Sequence, residues 1–223
     1  MKNFIFLFLF CSCFSTTNKA IIKEKIVTFS RNELPYYFCF CFEQKITYTQ
    51  NEFFSLQEDI NDPFLAFMYI KDLVKFEKDN DYKELGCFDY WSSSLETLSS
   101  VTGDCEDGAI LFAALLADDQ KFNVKIIFLK SVGHVVASFE ENGKVGIISF
   151  NDNSPERSTF FPPIYSTVDE YLMHIYKNDK LLEYSYLDFT EEEMIFGIDK
   201  KTGTCGLREK FVGQNLTVIE LKF

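Results

Sequence analysis

Histidine is nearly absent from this chain of 223 residues: there are two, His134 and His174, so metal chemistry built on imidazole ligands is nearly excluded. Basic residues are also in short supply, with 22 Lys and Arg against 34 Asp and Glu and a formal charge of −12. Nucleic-acid binding draws most of its affinity from cations that neutralise phosphates, so a general DNA or RNA binder is excluded as well. Seven cysteines are too few and too scattered for a disulfide scaffold, and no CxxC pair suggests zinc. No internal repeat, low-complexity tract or charge block marks a second domain. What is present is 47% hydrophobic and 17% aromatic content at a length suited to one medium-sized globular domain.

The N-terminus carries Lys2 and then an unbroken apolar run from Phe4 to Phe10, passing into small and polar residues. A bilayer-spanning helix needs about 20 apolar residues, so the run suits the h-region of a secretory signal. The expectation is a signal over residues 1–20, an exported protein, periplasmic or anchored at the cell surface, and one mature domain over 21–223. Phe10-Cys11-Ser12-Cys13 loosely resembles a bacterial lipobox, which would attach the protein to a membrane through a lipid on Cys13. Loss of residues 1–20 removes Lys2 and Lys19 and no acids, bringing the charge to −14. Export permits disulfides, but five cysteines then remain, and an odd number leaves at least one unpaired within the chain. Cys39 and Cys41, two apart on a strand, read as small buried hydrophobes.

Strand-like stretches run from Ile21 to Phe29, Tyr36 to Phe42 and Lys45 to Thr49, forming an N-terminal β extension. Apolar Ile60, Phe64, Phe67 and Val74, after the start signal Asn61-Asp62-Pro63, predict an amphipathic helix over about 61–78. A short helix is expected from Ser94 to Ser100. After Gly103-Asp104-Cys105-Glu106-Asp107-Gly108 comes a helix apolar around most of its circumference, which predicts a central buried position. Strands follow at Val124 to Lys130, His134 to Glu140 and Lys144 to Phe150, the last two joined by a hairpin turn at Glu141-Asn142-Gly143. A loop from Ser154 to Pro163 leads to a helix capped by Thr167 and Glu170, another near Thr190 and Glu193, and a final strand from Leu216 to Phe223. The pattern is α+β, with its core over about 60–165.

Cys105 stands where a glycine-containing turn enters a helix. Unpaired N–H groups and the helix dipole there favour a thiolate nucleophile, and the same N–H groups can donate to an oxyanion. His134 opens a strand and Asp152 follows the end of its hairpin partner, completing the parts of a Cys-His-Asp acyl-transfer site. Asn151 is adjacent and chemically adequate as the third member, although a carboxylate also stabilises the imidazolium.

Asp89-Tyr90-Trp91-Ser92-Ser93-Ser94-Leu95-Glu96-Thr97-Leu98, then Gly103-Asp104-Cys105-Glu106-Asp107, His134-Val135 and Asp152 together resemble the transglutaminase-like superfamily. The nearest branch is the bacterial transglutaminase-like cysteine peptidases. The resemblance spans roughly residues 89–155. It implies a papain/transglutaminase-like core whose cysteine-bearing helix packs on an antiparallel sheet, with Cys105 as nucleophile, His134 as general base then acid, and Asp152 orienting the imidazole. It requires no cofactor, and a protein or peptide would be the substrate. The sequence departs from the pattern at Gly108, where an aromatic often follows the second acid, and in the strand before Asp152, whose one aromatic is Phe150.

Asp104, Glu106 and Asp107 suit a helix N-terminus, yet three acids would raise the pKa of a neighbouring thiol unless something offsets them. Calcium is one such offset, used by some periplasmic members of the family. Trp91 could supply an oxyanion donor, though packing in the core is the simpler role. His174 falls on a surface helix, and Asn215-Leu216-Thr217 fits a glycosylation sequon that means nothing in a bacterium. The leading expectation is an exported thiol peptidase or amidase. Cross-linking by acyl transfer to an amine, and a non-catalytic surface or cell-wall binding module on the same fold, are the alternatives.

Overall fold

The computed structural model describes residues 21–28, 38–39, 47–78, 89–118, 121–151, 158–176, 181–187, 189, 191–196 and 215–222. The signal segment, Cys11, Cys13, Cys41, Cys87, Cys205 and Asp152 lie outside these residues. In chain order the elements are β1 (Ile21–Thr28), β2 (Phe38–Cys39), α1 (Gln50–Asp59), α2 (Pro63–Leu73), β3 (Lys75–Phe76), β4 (Asp89–Tyr90), α3 (Ser94–Ser100), β5 (Thr102–Gly103) and α4 (Cys105–Leu115). There follow β6 (Lys125–Leu129), β7 (His134–Glu141), β8 (Lys144–Ser149), β9 (Thr159–Tyr165), α5 (Val168–Ile175), β10 (Leu181–Leu187), α6 (Glu191–Phe196) and β11 (Asn215–Lys222).

The architecture is α+β. Seven antiparallel strands form one sheet in the order β1-β11-β10-β6-β7-β8-β9. Strand alternation gives each face its own apolar set. Val135, Ala137, Phe139, Ile148 and Phe150 pack with α4 in the larger core. Val136, Val145 and Ile147 pack with Val168, Tyr171 and Leu172 of α5 on the other side. α4 is buried from Glu106 to Leu115 and lies chiefly on β7, with α2, α3 and α6 around it.

Several local signals act as read. Asn142 (φ 53°) and Gly143 (φ 71°) make the hairpin between β7 and β8, both central residues having the positive φ that a tight two-residue loop needs. Thr167 accepts from the Glu170 amide at the start of α5. Pro63 begins α2 behind an Asp62 cap that accepts from Phe64 and Leu65.

Other expectations are corrected. The helix over 61–78 ends at Leu73, because the chain turns extended so that β3 can pair with β5. Residues 47–49 are not a strand: Thr49 and Glu52 form a capping box that starts α1. Residues 159–163, expected in a loop, belong to β9, where Pro162 and Pro163 are tolerated on the sheet's edge. β10 is an additional strand, and the N-terminal β1 is an edge strand of the main sheet paired to β11.

Val101 ends α3 at φ 53°, ψ 26°, a left-handed conformation unusual for a β-branched residue, and its side chain is exposed. Val101→Gly is therefore expected to raise stability by about 1 kcal/mol, read as a higher thermal midpoint in calorimetry. An unchanged or lower midpoint would show that the segment leading into α4 carries no strain at this residue.

Candidate active site

The turn before α4 is tied down by a buried carboxylate. Asp107 Oδ1 accepts from the Ser92 amide at 2.7 Å, and Oδ2 accepts from the Asp104 amide at 3.3 Å. Gly103 passes so close that a Cβ there would lie 2.7 Å from Asp107 Cβ. A second buried carboxylate, Glu96, accepts from Tyr90 Oη at 2.7 Å and from the Ser93 amide at 2.9 Å. Together they fix residues 90–97 against the start of α4. Trp91 in this segment is fully buried in the main core, with its ring against Phe189.

Cys105 is the first residue of α4 and is half-buried. Its thiol donates to Glu106 Oε2 at 3.0 Å. Glu106 is 2% exposed, so this acceptor is held inside the protein. One ligand atom each from Asp104, Cys105 and Glu106 lies within 4.8 Å of the others. The two carboxylates offer at most four oxygens, whereas calcium takes roughly six to eight, so these side chains alone leave its coordination incomplete.

Two packing contacts orient α4 on the sheet. Gly108 lies under the Phe150 ring, with a notional Cβ 2.5 Å from it, and Phe112 packs on Phe139 one turn later. Extending the β7–β8 register two residues past Ala137 and Ile148 sets Phe150 opposite Val135, so α4 and β7 run in the same sense. Cys105 and His134 therefore open their elements at the same end of the α4–β7 layer. The Gly108 departure has a physical reason: Phe150 fills the space an aromatic at residue 108 would need.

His134 does not lean over the helix. It shares its strand face with Val136, the face away from α4, and its Nε2 meets Ser149 Oγ at 2.8 Å. Asn151 Nδ2 donates to the same hydroxyl at 3.1 Å. Burial pushes the His134 pKa down to about 4, so the ring is neutral at physiological pH. The structure thus brings His134, Ser149 and Asn151 together and brings Cys105 to Glu106. His174 is exposed on α5, at 6.0 Å from the Tyr165 ring.

A shallow cleft, open to solvent, adjoins the cysteine turn and is lined by Ile70, Val74, Gly103, Asp104, Phe150 and Asn151 among others. Asn151 is therefore shared between the cleft and the histidine cluster.

No motif in the sequence marks Ser149 or Glu106 as a partner of the site residues. The hairpin offers a signal for the first: with Asn142 and Gly143 at the tip, paired residues are those equidistant from it, which sets Asn151 opposite His134 and Ser149 two residues back on the same face. No such rule points to Glu106, since neighbours on a helix do not ordinarily face each other.

No family model matches this chain, and no curated protein matches it. Among solved structures it is similar to Legionella pneumophila LapG, at 17% identity over 52% of this chain and 74% of that one, with a TM-score of 0.33. A likeness of that size is a weak link at the level of the fold alone.

Proposed function

We propose that this protein is an exported thiol-dependent acyl-transfer enzyme of the transglutaminase-like cysteine peptidase kind, cleaving peptide or related amide bonds through Cys105. The observation that carries the reading is that α4, opened by Cys105, and β7, opened by His134, begin at the same end of the fold, where the turn before the thiol lines an open cleft. His134, kept neutral by burial, has the protonation state a base needs. The reaction requires the His134 ring to leave Ser149 and turn toward the thiol; the Cys105 proton then passes to it and the sulfur attacks the amide carbonyl. Collapse expels the amine, which takes its proton from the imidazolium, and water then cleaves the thioester. Amide groups at the start of α4 are the oxyanion donors. The third member is Asn151 or Asp152. Export rests on the Phe4–Phe10 run; among the described residues no helix is long and apolar enough to cross a membrane. Attachment through a lipid on Cys13 belongs to the same proposal.

The thioester gives the test. The purified protein, incubated with a mixed peptide substrate and quenched in acid, should carry a hydroxylamine-sensitive mass increment on Cys105, and Cys105→Ala should lose both the adduct and peptide cleavage. Cleavage that survives in Cys105→Ala would overturn the assignment. Addition of a primary amine should divert the acyl group if transfer, not hydrolysis, is the natural outcome. One observation favours a second reading, a binding module on the same fold: the thiol and imidazole each hold a partner other than the other. That reading requires no adduct with any acyl substrate.

A further inference from the structure

Ser149 joins Asn151 to His134 through one hydroxyl, and what that means for the thiol rests on the catalytic assignment. The Ser149 side chain is buried, with residue exposure of 6%. A hydroxyl has one proton to give and two lone pairs to receive with. The Asn151 amide donates to Oγ at 3.1 Å, occupying one lone pair. The other described neighbour of Oγ is His134 Nε2 at 2.8 Å, a nitrogen that either donates or accepts. Were Nε2–H to donate as well, both lone pairs would be filled and the buried hydroxyl proton would have no acceptor among the described residues, so that proton goes to the imidazole nitrogen.

We propose that the Asn151–Ser149 chain caps His134 Nε2 at rest, holding the ring in its Nδ1–H form with its basic nitrogen occupied, and that Asn151, which lines the cleft, couples occupancy of the cleft to release of that base. Ser149 and Asn151 are then positioning residues. A carboxylate at the same place could only accept, and would force Nε2 to carry the proton. The chain Asn151–Ser149 is reversible: if the amide turns its oxygen toward Oγ, the hydroxyl donates to Asn151 and accepts from Nε2–H, leaving Nδ1 as the base. A ligand in the cleft that takes the Asn151 N–H for itself favours that reversal. A neutral ring is required in either direction, and burial of His134 supplies it.

The test reads the tautomer directly. With two histidines in the chain, ring 15N shifts of the labelled protein at pH 7 are assignable using His174→Gln. They should show His134 protonated at Nδ1 and not at Nε2, and the same in Cys105→Ser, which cannot perform thiol chemistry. Asn151→Asp, an acceptor only, should move the proton to Nε2. Ser149→Ala removes the cap and should raise the rate of Cys105 alkylation by iodoacetamide about tenfold, the effect of a one-unit fall in thiol pKa. A resting Nε2–H form, or a tautomer that ignores Asn151→Asp, would overturn the cap. Slower alkylation in Ser149→Ala would overturn it too, making Ser149 a support for the base. Failure of the catalytic reading looks different: alkylation indifferent to His134→Ala, with the tautomer pattern intact.

Discussion

Asp107→Ala is expected to destabilise the protein by about 3 kcal/mol, the combined cost of two backbone donors that lose their acceptor. Asp107 is 1% exposed and its two oxygens serve the Ser92 and Asp104 amides, one from the segment before α3 and one from the turn that presents Cys105. Water does not readily replace a carboxylate in so closed a place. The close approach of Gly103 to the Asp107 side chain leaves no room for a bulkier acceptor either. Asp107→Asn keeps one oxygen for Ser92 but turns a donor toward Asp104, and should lose about half as much. Urea unfolding measures both: the midpoint should fall with the slope unchanged. A loss below about 0.5 kcal/mol for the alanine variant, the scale of an ordinary surface change, would mean the turn is held by something else.

The second large effect concerns pH. His134 has its pKa lowered from 6.5 to about 4 by burial, so the folded protein binds fewer protons at this site than the unfolded chain between those values. Stability therefore rises with pH across that window. The contribution is fully present above the unfolded pKa near 6.5, and is lost as pH falls toward the folded pKa near 4. A shift of that size amounts to about 2 kcal/mol by pH 5 and about 3 kcal/mol below pH 4. Comparing wild type with His134→Gln isolates the group from the carboxylates that titrate nearby in pH. The stability difference between the two should change by that amount between pH 7.5 and pH 5, wild type losing more. Parallel curves for the two proteins would show that the ring is solvated and titrates normally.

Where the sequence speaks through local physics, it is legible. Gly103-Asp104-Cys105 opening an all-round apolar stretch indicates the buried helix α4, because such a stretch has no solvent face to offer. Asn142-Gly143 determines the β7–β8 hairpin and its register. α1 is harder to see: only Phe53 and Gln57 of its ten residues are buried, so its apolar periodicity is faint and the Thr49–Glu52 capping box is its one clear mark. β9 is obscured by Pro162 and Pro163, which break a central strand but not an edge one. Gln57 shows another limit, since its amide donates to the Ala114 carbonyl at the end of α4, a long-range pairing with no local signature.

The site divides along the same line. Cys105 and His134 are visible as residues that open elements. That both open at one end follows only from the packing of Gly108 on Phe150 and of Phe112 on Phe139. Ser149 can be placed near His134 by counting from the hairpin tip, whereas the Glu106 acceptor depends on a side-chain direction that the sequence does not encode in any short pattern.

The central claim is that Cys105 is a nucleophile served by His134. The most direct measurement is the rate of Cys105 alkylation by iodoacetamide at pH 7, followed by mass spectrometry of the Cys105 peptide, in wild type and in His134→Ala. The account predicts faster modification than for a cysteine in an unstructured peptide, and a fall of about a hundredfold on loss of the imidazole, the scale of general-base assistance. A wild-type rate no greater than the peptide's, unchanged in His134→Ala, would contradict it.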